Sequence, residues 1–148
     1  MPEKTTDEMV SSRTFNVHKD LNGCMELFVA DFDLPEGDVR NFLLSIDRSN
    51  EKITHLVLQA GTKIVGHGAV IRNTHEPTKG MLNAIHATTP AYLGTLLTQL
   101  SNNCKKEGIT TLYMNFTHLD NDAPEIEPYK TLGFTYTGAD TTYKLDIN

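Results

Sequence analysis

The stretch MLNAIHATTPAYLGTLLTQLSNNCKKEGITTLYMNF, residues 81–116, decides the fold. It opens with a short, mostly apolar run over residues 81–87, which is typical of a strand. Thr89 can cap a helix that starts at Pro90, and leucines at spacings of three and four give that helix one apolar face. Residues 110–116 form a second apolar run. Strand, helix and strand in this order predict two parallel strands joined by a crossover.

Before this stretch, the spacing of apolar residues changes between the strand and helix periods. ITHLVLQA (53–60) and KIVGHGAVI (63–71) predict two strands of a hairpin that turns at Gly61. Residues 13–18 alternate between apolar and polar types, which predicts a half-buried strand. Asp20 is predicted to cap the first of two helices that lie between that strand and the hairpin.

After the central stretch, the pattern predicts one more helix and the end of the sheet. Pro124 leads into a short helix that Gly133 ends, and residues 135–147 predict a last strand or pair of strands. The complete order is β-α-α-β-β-β-α-β-α-β, with an optional final strand. This order predicts an α/β fold built on a mixed (α+β) sheet, in which ligands tend to bind where neighbouring strands part at their carboxyl ends.

Length and charge narrow the classes of protein. The 148 residues predict one domain, assigned to residues 13–148, after a disordered N-terminal segment over residues 1–12. The net charge of −6 argues against a nucleic-acid partner, which needs a basic surface. No apolar run approaches the roughly 20 residues that span a bilayer, so no membrane partner is expected. The N-terminus lacks the apolar core of a secretory signal, and a cytoplasmic location is expected by default.

The cysteines and the other metal-binding residue types predict no metal site. Cys24 and Cys104 lie far apart with no CxxC spacing, and both are expected to be buried free thiols. His75 and Glu76 share a loop without a third ligand, so that loop is interpreted as a turn.

Three segments resemble a known family in their order and separation. KIVGHGAVI, LLTQLSNNCKKEGITTLYMNF (96–116) and PYKTLGF (128–134) resemble the third strand, the central helix with its following strand, and a short closing motif of the GNAT (GCN5-related N-acetyltransferase) family. The match covers residues 53–147. The resemblance implies a GNAT-like acyl-CoA N-acyltransferase fold and transfer of an acetyl group from acetyl-CoA to a small-molecule or protein amine. The sequence leaves open whether the chain is a monomer or a homodimer.

The resemblance also implies a cofactor site, in altered form. In the family, a glycine-rich loop opens the central helix, and its backbone N–H groups hold the coenzyme A pyrophosphate. TTPAYL (88–93) stands at that place without the two key glycines, and Pro90 removes one donor. By resemblance, the phosphates would face Ala91, Tyr92, Leu93, Gly94 and Thr95. The pantetheine arm would pair with the backbone of the preceding strand at Ile85 and Ala87.

Two residues are candidates for catalysis. Tyr129 stands where the family places a tyrosine that protonates the departing thiolate, although a tyrosine that only packs against the sheet would look the same. His86 precedes the cofactor helix and is the first candidate for the base that deprotonates the amine; an ordinary strand histidine is the alternative. His118 in the loop after the fifth strand is a weaker candidate, and His67 receives no role.

An acidic segment could receive a cationic substrate. By resemblance, the region between the first two helices borders the acceptor pocket. A solvated helix end is the simpler interpretation of this segment. The segment carries four carboxylates: Asp31, Asp33, Glu36 and Asp38.

Two functions therefore remain open. The first is an acetyl-CoA-dependent N-acetyltransferase. The second is a catalytically inactive GNAT-like binding or regulatory module that has lost the cofactor site, which the missing glycines favour and Tyr129 opposes.

Overall fold

A computed structural model describes residues 10–117 and 119–147 of the chain. The strands in this part are β1 (Val10–Thr14), β2 (Lys52–Ala60), β3 (Lys63–Arg72), β4 (Lys79–Ala87), β5 (Thr111–Asn115), β6 (Thr135–Tyr136) and β7 (Thr142–Asp146). The helices are α1 (Val17–Phe32), α2 (Glu36–Asp47), α3 (Pro90–Lys106) and α4 (Glu127–Thr131), the last preceded by a 3-10 turn at Pro124–Ile126. No helix in these two ranges is both long enough and apolar enough to cross a membrane.

The seven described strands form one mixed sheet in the order β1-β2-β3-β4-β5-β7-β6. This arrangement and the order of the helices confirm the predicted α/β fold with a mixed sheet. The predicted parallel pair is also confirmed, because Lys79–Met81 of β4 pairs in parallel with Thr111–Tyr113 of β5. Pairing stops there although both strands continue, so the two strands part at their carboxyl ends.

Helices cover both faces of the sheet. Leucines of α3 pack on one face with Val70, Leu82 and Leu112, and we call this the α3 face. Phe28 and other apolar residues of α1 and α2 pack with Val57 on the opposite, α1 face. Gly68 of β3 allows α3 to approach closely, because a Cβ there would lie 2.9 Å from Leu100 Cδ1.

Both cysteines are buried free thiols, as predicted. Cys24 lies in the core of the α1 face and Cys104 in that of the α3 face. Burial raises the pKa of each thiol to about 12, so neither is a thiolate at neutral pH.

The start of the domain differs from the prediction. Strand β1 begins at Val10 and ends at Thr14, earlier than the predicted 13–18, so residues 10–12 belong to the sheet and not to a disordered segment. Residues 1–9 lie outside the described residues. Helix α1 is capped by Asn16, not by Asp20: Asn16 Oδ1 accepts from the N–H groups of His18 at 3.0 Å and Lys19 at 3.2 Å.

Asp20 has a different role in the same turn. Its carboxylate accepts two hydrogen bonds from Arg13, each 2.7 Å long, and one from the backbone N–H of Asn16 at 2.8 Å. Asp20 therefore ties strand β1 to helix α1, and its side chain is buried. Both residue types favour N-caps, so the sequence pattern alone does not separate them.

Candidate functional site

The site is built around a bulge in β4. Asn83 pairs with Ala69 of β3, and His86 pairs with His67. Between these two pairs, β4 has two residues and β3 has only one, so β4 carries one extra residue. The extra residue is accommodated at Ala84, whose φ of 53° is in the left-handed region that alanine rarely adopts. Paired residues share a face of the sheet, so the bulge keeps both Asn83 and His86 on the α1 face. With regular alternation, residues three apart would lie on opposite faces.

His86 meets an acidic partner from α1. Its Nε2 lies 2.5 Å from Oδ2 of Asp31, near the C-terminal end of that helix. The Phe32 ring packs edge-on against the imidazole with centroids 4.6 Å apart. The His86 side chain is 19% exposed and that of Asp31 41%, so both can be reached from solvent. In the neutral imidazole, Nε2–H donates to Asp31 and Nδ1 is left as an acceptor, which is the form a general base needs.

Two hollows open near this pair and near the end of β5. One of about 750 Å³ runs along α1, and Asp31 and Thr88 line it together with charged residues of both signs. The other, of about 490 Å³, lies at the carboxyl end of β5 and is lined by Asn115 and Tyr136 among others. A ligand in the first hollow would therefore contact Asp31, whereas His86 is not among the residues that line either hollow.

The start of α3 confirms the predicted helix boundary and limits the predicted phosphate site. Thr89 Oγ1 accepts from Tyr92 N–H at 3.1 Å, and the Thr89 carbonyl accepts from Leu93 N–H at 3.0 Å. Of the three N–H groups expected to face the phosphates, two are thus used by the helix itself. The N–H of Ala91 has no partner among the described residues. Leu93 also packs its side chain against the core.

The other residues proposed for the cofactor lie around this helix start and the end of β4. Ile85 and Ala87 follow the last pair between β4 and β5, where the two strands part. A Cβ at Gly94 would meet no atom of the described part of the chain within 4 Å, so the helix surface is open there. Thr95 donates its hydroxyl to the Ala91 carbonyl at 3.2 Å. These positions are compatible with a bound ligand, and their cofactor role stays a prediction.

Tyr129 of α4 is a core residue. It is 4% exposed, and its ring packs edge-on against Phe116 and Phe134, with centroids 4.8 and 5.5 Å away. Burial raises the pKa of its hydroxyl well above the ordinary value, so the phenol holds its proton more tightly. The Tyr129 ring therefore packs in the core, as the alternative interpretation of this residue expected. Its role as the acid that protonates the thiolate stays a prediction.

The carboxylates of the acidic segment have different environments in the structure. Within the acidic segment, Asp31 bonds to His86, whereas Asp33, Glu36 and Asp38 are exposed.

Of the two remaining histidines, His118 lies outside the described residues. His67, which received no role, is fully buried and bonded to the bulge. Its position between Gly66 and Gly68 was the available signal, because glycines inside a strand often mark a bulge.

Several solved structures that share this fold are acetyltransferases by name. The aminoglycoside 6'-acetyltransferase type Ii is similar with a TM-score of 0.77 and 17% identity, over 93% of this chain and 97% of its own. The ribosomal-protein-S18-alanine N-acetyltransferase from Escherichia coli has a TM-score of 0.71 and 16% identity, over 95% of each chain. The PaiA N-acetyltransferase from Thermoplasma acidophilum, in complex with coenzyme A, has a TM-score of 0.67 and 15% identity, over 93% of this chain and 98% of its own.

No protein-family model and no curated protein sequence matches the chain. The likeness is therefore one of three-dimensional structure. It shows that the chain has the GNAT acetyltransferase fold and confirms the GNAT-like acyl-CoA N-acyltransferase fold predicted from the resemblance.

Proposed function

We propose that the protein is an acetyl-CoA-dependent N-acetyltransferase that acts on an amine. The observation that carries the proposal is the His86–Asp31 pair, at the end of β4 where this strand leaves β5 in a GNAT fold. An amine must lose a proton before it can attack a thioester, and a histidine oriented by a carboxylate is suited to take it. Several structural neighbours are N-acetyltransferases by name, which supports the same chemistry.

In the proposed reaction, His86 Nδ1 takes the proton of the acceptor amine while Asp31 stabilises the charged imidazole through Nε2. The amine nitrogen forms a bond to the thioester carbonyl carbon, and the bond from that carbon to sulfur breaks. The departing thiolate receives a proton, and Tyr129 is the proposed donor. Because burial raises its pKa, Tyr129 would hold this proton until the carbon–sulfur bond breaks, and the phenolate would then regain a proton from solvent.

Acetyl-CoA is the proposed cosubstrate. The backbone of Ile85 and Ala87 would pair with the pantetheine arm, and residues 91–95 would face the phosphates. Since Thr89 already occupies two of the N–H groups at the helix start, we expect weak binding of the phosphates.

The proposed acceptor is a cationic small-molecule or protein amine. The pair lies beside an exposed acidic segment, Asp31–Asp38, in a chain of net charge −6, and both features attract a cation. Cytoplasmic location and assembly as a homodimer remain part of the proposal.

The test is amine-dependent release of coenzyme A from acetyl-CoA, measured over a panel of polyamines, aminoglycosides and N-terminal peptides. We expect turnover with at least one cationic amine, and loss of about 100-fold in kcat for His86→Gln. Turnover that His86→Gln leaves unchanged would remove the base from the proposal.

The alternative is a binding or regulatory module that has lost the cofactor. It is favoured by one observation, the use of the Tyr92 and Leu93 N–H groups by the Thr89 cap. Absence of any acetyl-CoA binding by the folded natural protein would favour it over the enzyme.

A further inference from the structure

The bulge that positions His86 has an unfavourable backbone conformation of its own. Ala84 has a φ of 53°, and the steric clash of its Cβ in this region costs free energy that glycine would not lose. A non-glycine residue stays in such a conformation only where neighbouring contacts hold it. The contact that holds the Ala84 peptide comes from His67 on the neighbouring strand.

His67 bonds directly to the bulge. Its Nδ1 lies 2.8 Å from the carbonyl oxygen of Ala84, and the side chain is fully buried. A carbonyl oxygen can only accept, so Nδ1 carries the hydrogen. In a neutral ring, Nε2 of His67 is then an acceptor.

His55 of β2 completes the arrangement. Its Nε2 lies 2.7 Å from Nε2 of His67, so His55 donates from Nε2 when both rings are neutral, the state that their burial favours. The opposite tautomer would place two lone pairs against each other, and two charged rings would place two N–H groups there. The donors therefore run in one direction, from His55 to His67 and from His67 to the Ala84 carbonyl.

Aromatic packing fixes both rings in this orientation. Phe15 stacks on His55 with centroids 4.1 Å apart, and Phe28 meets His67 edge-on at 5.4 Å. His55 Nδ1 is buried and has no hydrogen-bond partner among residues 10–117 and 119–147; a carboxylate oxygen of Asp47 lies 3.7 Å away. An unprotonated Nδ1 agrees with the tautomer deduced from the other ring nitrogen.

We infer that His67, oriented by His55, is a positioning residue that holds the β4 bulge and thereby keeps His86 on the face of the sheet where Asp31 lies. Without the extra residue of the bulge, a spacing of three from Asn83 would direct His86 toward α3. The catalytic consequence rests on the proposed function, whereas the structural part does not.

The structural part is tested by the histidine tautomers. In ¹⁵N NMR of the natural protein at pH 7, we expect His67 as the neutral Nδ1–H form and His55 as the neutral Nε2–H form. An Nε2–H form for His67, or a charged ring at either position, would overturn the inference. This measurement requires no activity and no variant.

The positioning role is tested by two matched variants. His67→Asn keeps a donor near the place of Nδ1, whereas His67→Gln keeps a polar group near the place of Nε2 and loses the donor to Ala84. We expect His67→Gln to speed amide hydrogen exchange at residues 84–87 about tenfold, with His67→Asn close to the natural protein. Equal exchange in the two variants would contradict the role.

The same variants separate this inference from the proposed function. If acetyl transfer is present, His67→Gln should lower kcat about tenfold or more while the KM for acetyl-CoA stays within about twofold. His67→Asn should restore most of kcat. If the tautomers and exchange rates agree but no amine is acetylated by the natural protein, the proposed function fails and the bulge assignment stands. An unchanged kcat in a His67→Gln protein with faster exchange would refute the catalytic consequence.

Discussion

At the scale of single residues, two pairs of side chains account for the candidate site. His86 and Asp31 are 55 residues apart in sequence and meet at 2.5 Å. His55 and His67 pack among the aromatic side chains of the α1 face; His55 bonds to His67, and His67 bonds to the Ala84 carbonyl, two residues before His86. One pair can perform proton transfer, and the other fixes its geometry.

The role of Asp31 gives the first prediction. Asp31→Asn removes the charge that stabilises a protonated His86, so kcat for acetyl transfer should fall about tenfold to hundredfold. Asp33→Asn is the matched control, because Asp33 is exposed in the same segment and asparagine tolerates its φ of 52°. Steady-state kinetics of the two variants check this; equal losses would indicate a general effect of charge.

The buried histidine pair predicts how stability depends on pH. Burial lowers the pKa of His55 to about 3 and that of His67 to about 4. The unfolded rings, with a pKa near 6.5, bind protons at higher pH than the folded ones. The contribution of the two neutral rings to the free energy of unfolding is therefore fully present above about pH 6.5 and is lost as the pH falls toward 4. Each ring should lower the free energy of unfolding by about 2 kcal/mol between pH 7.5 and pH 5.

Urea unfolding at several pH values measures this dependence. His55→Gln keeps a donor for His67 and removes one of the two titrating rings, so it should reduce the loss of stability by about half. His75→Gln, on an exposed loop, is the control and should leave the dependence as it is. A flat profile for the natural protein would show that the buried rings do not remain neutral.

At the scale of elements, the approach of α3 to the sheet depends on one glycine. A Cβ on Gly68 would lie 2.8 Å from Ile85 Cδ1 and 2.9 Å from Leu100 Cδ1. Gly68→Ala should therefore destabilise the protein by about 1–3 kcal/mol. Gly94→Ala is the matched control: the new Cβ would lie in a helix and meet no described atom within 4 Å, so this variant should be more stable by about 0.5–1 kcal/mol. Thermal unfolding of both variants checks the pair, and equal effects would contradict the packing of α3.

The start of α3 gives a prediction for the cofactor. Replacing Pro90, Tyr92 and Leu93 to restore the glycine pattern of the family should add the N–H donor that Pro90 lacks and let the pyrophosphate approach the backbone more closely. One charge-assisted hydrogen bond is worth about 1.5–3 kcal/mol, so acetyl-CoA should bind about ten- to hundredfold more tightly. Loss of the Leu93 side chain costs core packing, so circular dichroism must first show that the variant is folded. Weaker binding by a folded variant would contradict the assigned place of the phosphates.

At the scale of the whole molecule, the sequence predicts the order of elements and not the contacts between them. The periods of apolar residues identify the mixed sheet, and Thr89, Pro90 and Gly108 set the bounds of α3 as observed. The pairing of His86 with Asp31 depends on a bulge at an alanine, and no local signal marks an alanine for a positive φ. The sequence places the start of α1 too late because Asn16 and Asp20 are both good caps.

The proposed function requires that this protein bind acetyl-CoA despite the altered start of α3. Calorimetric titration of the natural protein with acetyl-CoA, and with coenzyme A for comparison, measures this most directly. Because Thr89 uses two of the N–H groups, we expect a dissociation constant of about 100 μM to 1 mM. Submicromolar binding would show that the phosphates are held elsewhere than at residues 91–95. No detectable binding at millimolar acetyl-CoA, in a protein shown to be folded, would contradict the proposed function.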